Sequence, residues 1–230
     1  PLQFALRRRM MMAGHGGAPI SDLPLGALIN VGTDGGAGAP NYEIADKDNL
    51  VSGGVVLVRK NIYSSSKFGE YSFYANSTLD NLVKTTIYNR MPQKLRNKMM
   101  DVTFALAGSE SITRKMFVPT LTMMSGRANT TYEGNTAMEG VGLQLYTNDA
   151  SRIRTKNGYG EEWWLSSQYS TEGYTSGYHG GVKYVNYLGG ITVYGNSSNN
   201  SDGVVPAFAI PSDTPYNATP NTDGSYNLIL

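Results

Sequence analysis

The stretch EEWWLSSQYSTEGYTSGYHGG, residues 161–181, joins a compact aromatic segment to a tract made almost entirely of Tyr, Ser, Thr and Gly. The first part, EEWWLSS, is short and rich in aromatic residues, which predicts a β-strand. Adjacent strand residues point to opposite faces. We therefore expect one of the two rings, Trp163 or Trp164, to lie in the core and the other to support a neighbouring loop.

Further strand patterns lie on both sides of this stretch. Apolar and β-branched runs predict core strands; these are GALINVG (26–32), SGGVVLVRKNIY (52–63), RKMFVPTL (114–121) and GVVPAFAI (203–210). The segment VKYVNYLGGITVYG (182–195) places two alternating runs around residues 188–190 and predicts a β-hairpin, in which Tyr184 and Tyr194 are candidates for the core. The polar segments GTDGGAGAP (32–40) and GNSSNNSDG (195–203) are predicted to be loops.

The segment NSTLDNLVKTTIYNRMPQKLRNKMM (76–100) carries the clearest helical pattern. Ser77 is a candidate N-cap, and Asp80 stands three residues later, as in a capping box. Pro92 ends this helix and can serve as the first residue of a second short one. Strands at both ends with two helices between them predict an α+β fold.

Three segments are expected along the chain. Residues 1–24 predict an N-terminal docking tether that orders on binding, with a frayed terminus as the alternative. Residues 25–212 predict the folded domain, and residues 213–230 a C-terminal extension or edge strand. The candidate docking residues of the tether share an apolar and basic character: Leu2, Phe4, Leu6, Arg7, Arg8 and Arg9.

Composition excludes several classes of function. A net charge of +1 provides no broad positive electrostatic field to bind nucleic acid. The chain has no apolar segment long enough to predict membrane insertion. The chain contains no cysteine, so thiol nucleophiles and thiolate metal sites are excluded. No secretion signal is visible, which predicts synthesis in a cytoplasm.

The chain also resembles a known domain family of bacteria and their phages. The resemblance rests on the segments RIRTKNGYGEEWWLSS, YVNYLGGITVYG and GVVPAFAI, and it extends over residues 25–212. This family is similar to the C-type-lectin-like fold of formylglycine-generating sulfatase modifiers and of retroelement-diversified phage receptor-binding proteins. The resemblance implies a C-type-lectin-like domain with two short helices and a terminal hairpin. Ser166 and Val205 depart from it, because they stand where the family usually has arginine.

The inventory of reactive groups disfavours catalysis. Without cysteine, the chemistry of the sulfatase modifiers has no residue to carry it. His15 and His179 are poor material for a histidine-based triad, and neither a metal site nor a cofactor is expected. Paired carboxylates keep a carbohydrate hydrolase open as an alternative; the candidate pairs are Glu161–Glu162, Asp46–Asp48 and Glu133–Glu139. Glu161 and Glu162 are not a catalytic pair with each other, because neighbouring strand residues point to opposite faces.

The Tyr-rich tract has the composition of a binding surface, because tyrosine rings give rigid contact area and small polar residues adapt to a ligand. The predicted ligand-binding residues are Tyr169, Tyr174, Ser176, Tyr178, His179, Asn186 and Tyr187. With the resemblance, they predict a non-enzymatic phage virion protein that attaches to a glycan or protein of the bacterial surface. We expect a homo-oligomer that contacts other virion proteins through its tether, as a tail fibre or baseplate adhesin. A capsid decoration or head-fibre protein is the alternative.

Overall fold

The structure, a computed structural model, describes residues 17–170, 180–192 and 194–230. Within these ranges the protein has a mixed α+β fold that consists mostly of β-sheets with a few short helices, as the sequence predicts. None of the helices in these ranges has both the length and the apolar composition needed to cross a membrane.

The strands are short. In chain order they are β1 (Ala18–Pro19), β2 (Leu28–Asn30), β3 (Asn41–Lys47), β4 (Gly54–Arg59), β5 (Ser65–Lys67), β6 (Val102–Leu106), β7 (Ser109–Arg114), β8 (Met116–Phe117), β9 (Asn129–Thr130), β10 (Thr136–Ala137), β11 (Arg154–Lys156), β12 (Tyr159–Glu161), β13 (Trp163–Ser170), β14 (Gly181–Val185), β15 (Asn196–Ser197), β16 (Ser201–Gly203), β17 (Ala207–Pro211), β18 (Pro215–Tyr216) and β19 (Tyr226–Asn227).

The helices lie between the strands. They are a 3₁₀ turn (Ile20–Asp22), α1 (Thr78–Asn81), a π-helical segment (Leu82–Ile87), α2 (Tyr88–Arg90), α3 (Gln93–Lys98), α4 (Leu121–Ser125) and α5 (Asp149–Arg152). The segments from Thr78 to Arg90 follow one another without a break. The structure therefore contains the two predicted helices and also the short α4 and α5.

A six-stranded sheet in the order β19-β2-β3-β4-β17-β8 forms one half of the core. Strands β3 and β4 pair in antiparallel fashion, and β4 is buried along its whole length. Its run of valine and leucine residues has no polar alternation, as expected for a strand that is covered on both faces. β17 pairs antiparallel to β4, so the predicted strands at 52–63 and 203–210 are neighbours.

A five-stranded sheet in the order β15-β14-β13-β16-β5 carries the aromatic strand at its centre. Both rings of the Trp163–Trp164 pair are fully buried. The indole nitrogen of Trp163 donates to the carbonyl oxygen of Arg152, and that of Trp164 donates to the carbonyl oxygen of Ser66 on β5. The two tryptophans thus fix β13 to different parts of the molecule, and both belong to the core.

The helix signals are confirmed with two changes of detail. The Ser77 side chain accepts a hydrogen bond from the Asp80 backbone N–H, as a helix N-cap does. The Asp80 carboxylate accepts from the backbone N–H of Asn76, one residue before the cap, and from Arg114 and Lys84. Pro92 is the N-cap of α3, and the helix itself begins at Gln93.

Two predictions of local structure are wrong in part. Of the strand predicted at 114–121, only Arg114 at the end of β7 and the two residues of β8 are strand. The chain then turns into α4, because Pro119 lacks an N–H donor and the Thr120 side chain caps the helix by accepting from Met123 N. The segment 195–203, predicted to be a loop, contains β15 and β16. Its polar composition gives no strand signal, and only its neighbours in the sheet make these residues strands.

Both ends of the described chain join the sheets. Ile20 and Leu23 are buried in the core, and β1 pairs with β18. β19 pairs in parallel with β2 at the edge of the six-stranded sheet. Residues 1–16, which include every candidate docking residue of the tether, lie outside the described residues.

Candidate functional site

A cleft of about 360 Å³ opens where β13 ends and β14 begins. Strand β13 ends at Ser170 and β14 starts at Gly181, so the cleft lies at the two ends of the tract that the sequence nominates as a binding surface. The described residues that line it are Tyr169, Ser170, Gly180, Gly181, Tyr194, Gly195, Asn196 and Ser197.

Two tyrosine rings, those of Tyr169 and Tyr194, line the cleft, and a third ring packs beside them. The ring of Tyr169 packs edge-on against that of Tyr194 at 6.3 Å between centroids, and it lies 6.2 Å from the ring of Tyr132. Tyr132 and Tyr194 are 64% and 73% exposed, whereas Tyr169 is half-buried between them. Such offset aromatic contacts hold amphipathic rings in place while they stay open to solvent.

Glycines make this arrangement possible. A Cβ atom on Gly181 would lie 2.7 Å from Cδ1 of Tyr169, and one on Gly195 would lie 2.7 Å from both Cβ of Tyr169 and the backbone nitrogen of Val182. No real side chain tolerates such distances. The absence of side chains at these two positions lets the backbone close around the Tyr169 ring.

A buried cation contacts the same ring from the protein interior. The Nζ atom of Lys183 lies 4.5 Å from the centroid of Tyr169, and Lys183 is only 5% exposed. Burial lowers the pKa of the Lys183 ammonium, and the negative charge of Glu139 partly offsets that effect. Burial in turn raises the pKa of the Glu139 carboxyl, against the hydrogen bonds that it accepts.

Glu139 fixes the hairpin that carries Tyr132. Its carboxylate accepts from the backbone N–H of Ala107 at 2.9 Å, from Nδ2 of Asn129 at 3.0 Å and from the Ser167 hydroxyl. These contacts join β9, β13 and the β6–β7 turn. Buried hydrogen bonds of this kind restrict the groups that make them to one arrangement, and these bonds connect the hairpin of Tyr132 to the strand of Tyr169.

The polar side of the cleft continues into a pair of carboxylates. Nδ2 of Asn196 donates to Oδ2 of Asp202 at 2.9 Å. Asp202 and Glu162 are neighbours, because β13 and β16 run in parallel with Trp163 opposite Gly203. Burial and then the charges of Asp202 and Glu161 raise the pKa of Glu162, and burial raises that of Asp202 against the hydrogen bond from Asn196.

The structure treats the predicted binding residues differently. Tyr169 lines the cleft. Tyr187 is 56% exposed but is not among the lining residues. Oδ1 of Asn186 accepts from the backbone N–H groups of Leu188 and Gly190, which holds the predicted hairpin turn. Tyr174, Ser176, Tyr178 and His179 lie outside the described residues.

Of the described residues that line the cleft, the sequence predicted only Tyr169 as a binding residue. Tyr194 was expected in the core, and this is wrong because its ring is 73% exposed; Tyr184 does pack against the core. Tyr132 lies in a distant loop, and no pattern links it to Tyr169. Asn196 and Ser197 belong to the segment that the sequence predicts to be a loop.

The carboxylate pairs of the hydrolase hypothesis have other partners in this fold. Asp46 accepts from the backbone N–H of Leu50 and Asp48 from that of Gly53, which is turn chemistry. Glu133 is exposed and accepts from the Ser170 hydroxyl, while Glu139 is buried. In the described part of the chain, no three His, Asp or Glu residues come together as a metal site.

Comparison with known proteins gives one match. A family model described as "Domain of unknown function (DUF6273)" matches residues 52–212. No curated protein and no solved structure matches the chain. The matched range runs from the turn before β4 to the end of β17, and it includes the aromatic strand and all the described residues that line the cleft. Since it covers well over half of the chain, the protein belongs to this family of domains of unknown function.

Proposed function

We propose that this protein is a non-enzymatic binding module that attaches to a bacterial surface through the cleft lined by Tyr169 and Tyr194, with Tyr132 beside it. The observation that carries the proposal is this cluster of three rings, two of them exposed, on a base of buried contacts. Rigid tyrosines surrounded by small polar residues provide contact area at little cost in conformational entropy.

The proposed setting is a phage virion. The support is the resemblance of the strand and hairpin segments to C-type-lectin-like phage proteins, together with the mixed α+β architecture. In this proposal the domain has a C-type-lectin-like fold and the N-terminal segment docks on the particle as part of an oligomer. Several copies then add their weak single contacts together.

Cell binding tests the proposal. The full chain is labelled with a fluorophore and applied to a panel of bacterial isolates, next to the variants Tyr169→Ala and Tyr194→Ala. We expect binding to at least one isolate and a loss of at least tenfold in both variants. Tyr159→Ala is the matched control, because Tyr159 is 77% exposed and does not line the cleft. Equal binding by all variants contradicts the proposal.

Immunogold labelling of intact particles tests the setting. Gold at the tail supports a fibre or baseplate adhesin, and gold at the head supports a capsid decoration or head-fibre protein with the same displayed domain. Particles without any label contradict the virion setting.

The neighbouring carboxylates Glu162 and Asp202 favour one second candidate, a carbohydrate hydrolase. A glycosidase uses two carboxyl groups, one protonated as the general acid and one ionised. Glu162 and Asp202 are two neighbouring acids, and Asp202 accepts from Asn196 of the cleft. Release of reducing sugar from bacterial polysaccharides, abolished by both Glu162→Gln and Asp202→Asn, supports this candidate. The absence of turnover by the intact protein rejects it.

A further inference from the structure

We infer that the ligand of the tyrosine cleft is an uncharged saccharide segment of a surface polymer. The inference rests on the proposed binding function and specifies the chemistry of the ligand. It depends on three features of the cleft: its aromatic walls, its uncharged lining and its supply of hydrogen-bonding groups.

The aromatic walls suit a ligand that is apolar on one face and polar at its edges. Tyr169 and Tyr194 meet nearly at right angles, with 86° between their planes, so they form a corner and not a flat platform. A sugar ring presents C–H groups on its faces and hydroxyl groups at its rim, and it matches the amphipathic character of tyrosine. The volume of about 360 Å³ is small, as for a site that holds a short segment.

The lining carries no charge in the described part of the chain. It consists of two tyrosines, two serines, one asparagine and three glycines. An acidic or amino sugar needs an opposite charge to compensate for its desolvation, and the lining residues themselves offer none. The charged groups next to the lining already have partners: the Lys183 ammonium lies against the Tyr169 ring, and the carboxylates of Asp202 and Glu133 accept from Asn196 and Ser170.

Hydrogen-bonding groups stand at the rim. Asn196 uses one of the two N–H bonds of its amide for Asp202, so the other can donate to a ligand. The hydroxyl groups of Tyr194 and Ser197 donate and accept. Sugar hydroxyls also donate and accept. They can therefore form hydrogen bonds with all of these protein groups at the same time.

An array of purified polysaccharides tests the inference at the level of chemical class. The full chain and Tyr194→Ala are applied to neutral, acidic and amino-containing bacterial polysaccharides at 0.05 and 0.5 M salt. We expect hits confined to the neutral polymers, a signal at least fivefold lower for Tyr194→Ala, and less than a twofold change with salt. Salt screens charged contacts and leaves neutral ones nearly unchanged.

Treatment of the cells that bind the protein, either with periodate or with protease, provides the second measurement. Periodate cleaves sugar diols, so it should abolish binding, whereas protease should leave binding intact. An array without neutral hits, or hits on acidic polymers that vanish at high salt, overturns the inference. If the protein still binds cells and Tyr194→Ala still weakens that binding, the proposed function stands and only the ligand class is wrong.

Discussion

At the scale of single residues, the cleft depends on what Gly181 and Gly195 lack. A Cβ at either position would lie 2.7 Å from a side-chain atom of Tyr169, and at Gly195 it would also meet the backbone of Val182 at 2.7 Å. Neither has the left-handed conformation that often explains a glycine, since Gly181 and Gly195 are not among the residues of positive φ. Close approach to Tyr169 is therefore the reason for glycine at both positions, and the sequence alone does not show it.

Gly195→Ala should damage the cleft. The new Cβ would meet Cβ of Tyr169 and the backbone of Val182 at 2.7 Å, and neither is the end of a flexible side chain. We expect a loss of about 1–3 kcal/mol in the free energy of unfolding, as for overpacking, together with loss of cell binding. Urea denaturation measures the first and fluorescent labelling the second. Gly38→Ala is the control for binding, because no atom lies within 4 Å of its Cβ. Its φ of +71° makes alanine cost some stability there as well, but it should retain full binding.

Arg154 illustrates a buried charge that the fold must satisfy. It is fully buried, pairs with Glu43, donates to the Tyr146 hydroxyl at 2.6 Å and lies over the ring of Trp163 at 5.8 Å. Lys60 also pairs with Glu43, at 3.1 Å, but its side chain is 46% exposed. The two cations thus share one carboxylate in different environments.

Removing these cations should therefore have unequal effects. Arg154→Met leaves a buried carboxylate without its main partner and should cost about 3–5 kcal/mol of stability. Lys60→Met should cost at most about 1 kcal/mol, because the Lys60 side chain is about half exposed to solvent and Glu43 keeps Arg154 as its partner. Chemical denaturation measures the free energy of unfolding of both variants. Equal losses of stability would contradict the unequal roles of Arg154 and Lys60.

At the scale of elements, the parallel pairing of β13 with β16 sets the electrostatics beside the cleft. It places Asp202 next to Glu162, with Tyr184 and Glu161 close by and with Ser66 opposite on β5. Sequence reasoning paired Glu161 with Glu162 and rejected them as a catalytic pair, since neighbours on a strand diverge. The true neighbour of Glu162 comes from a segment 40 residues later that carries no strand pattern.

Asp202→Asn should stabilise the protein at neutral pH. The folded state binds the Asp202 proton more tightly than the unfolded state does, because burial raises its pKa. The stability of the wild type therefore falls as pH rises from about 4 through the raised pKa, and it stays lower above it. Asparagine does not titrate, so the stability of the variant lacks this pH dependence. Urea midpoints between pH 3 and pH 8 should show a higher stability at pH 7 and a flatter profile.

Asp223→Asn is the control with the opposite sign. Hydrogen bonds from Ser225 and Asn41 lower the pKa of Asp223 to about 2. Its contribution is present above about pH 4 and is lost as pH falls towards 2. Asp223→Asn should therefore lower stability at neutral pH, and a shift of both variants in the same direction would contradict the assignment.

At the scale of the whole molecule, the C-terminal residues close the fold. β18 pairs with β1, β19 pairs with β2, and the backbone oxygen of Leu230 accepts from Nζ of Lys94. Strands β18 and β19 lie beyond residue 212, where the family match ends. The edges of the sheet that they cover would otherwise present unpaired backbone groups.

Deletion of residues 213–230 should lower the melting temperature by at least about 4 °C, since the loss of two strands and of the buried Tyr216 removes more than about 2 kcal/mol and each kcal/mol corresponds to about 2–4 °C in a chain of this size. Differential scanning calorimetry measures this. Deletion of residues 1–16, the greater part of the predicted tether, serves as the comparison and should leave the melting temperature within about 1 °C. An unchanged melting temperature after the C-terminal deletion would show that the edge strands are dispensable.

The sequence by itself determined the α+β class, the aromatic strand, the first helix with its Ser77 cap, the hairpin turn and Tyr169 as a surface candidate. Each of these depends on residues near one another in the chain: a run of β-branched side chains, a capping pair, a Gly-Gly turn. Only the tertiary structure decided that Tyr132 and Tyr194 join Tyr169, that Asp202 stands beside Glu162, and that residues 195–203 contain strands. Those outcomes depend on which distant segments pair in a sheet, and local propensity carries no information about a partner that the fold supplies.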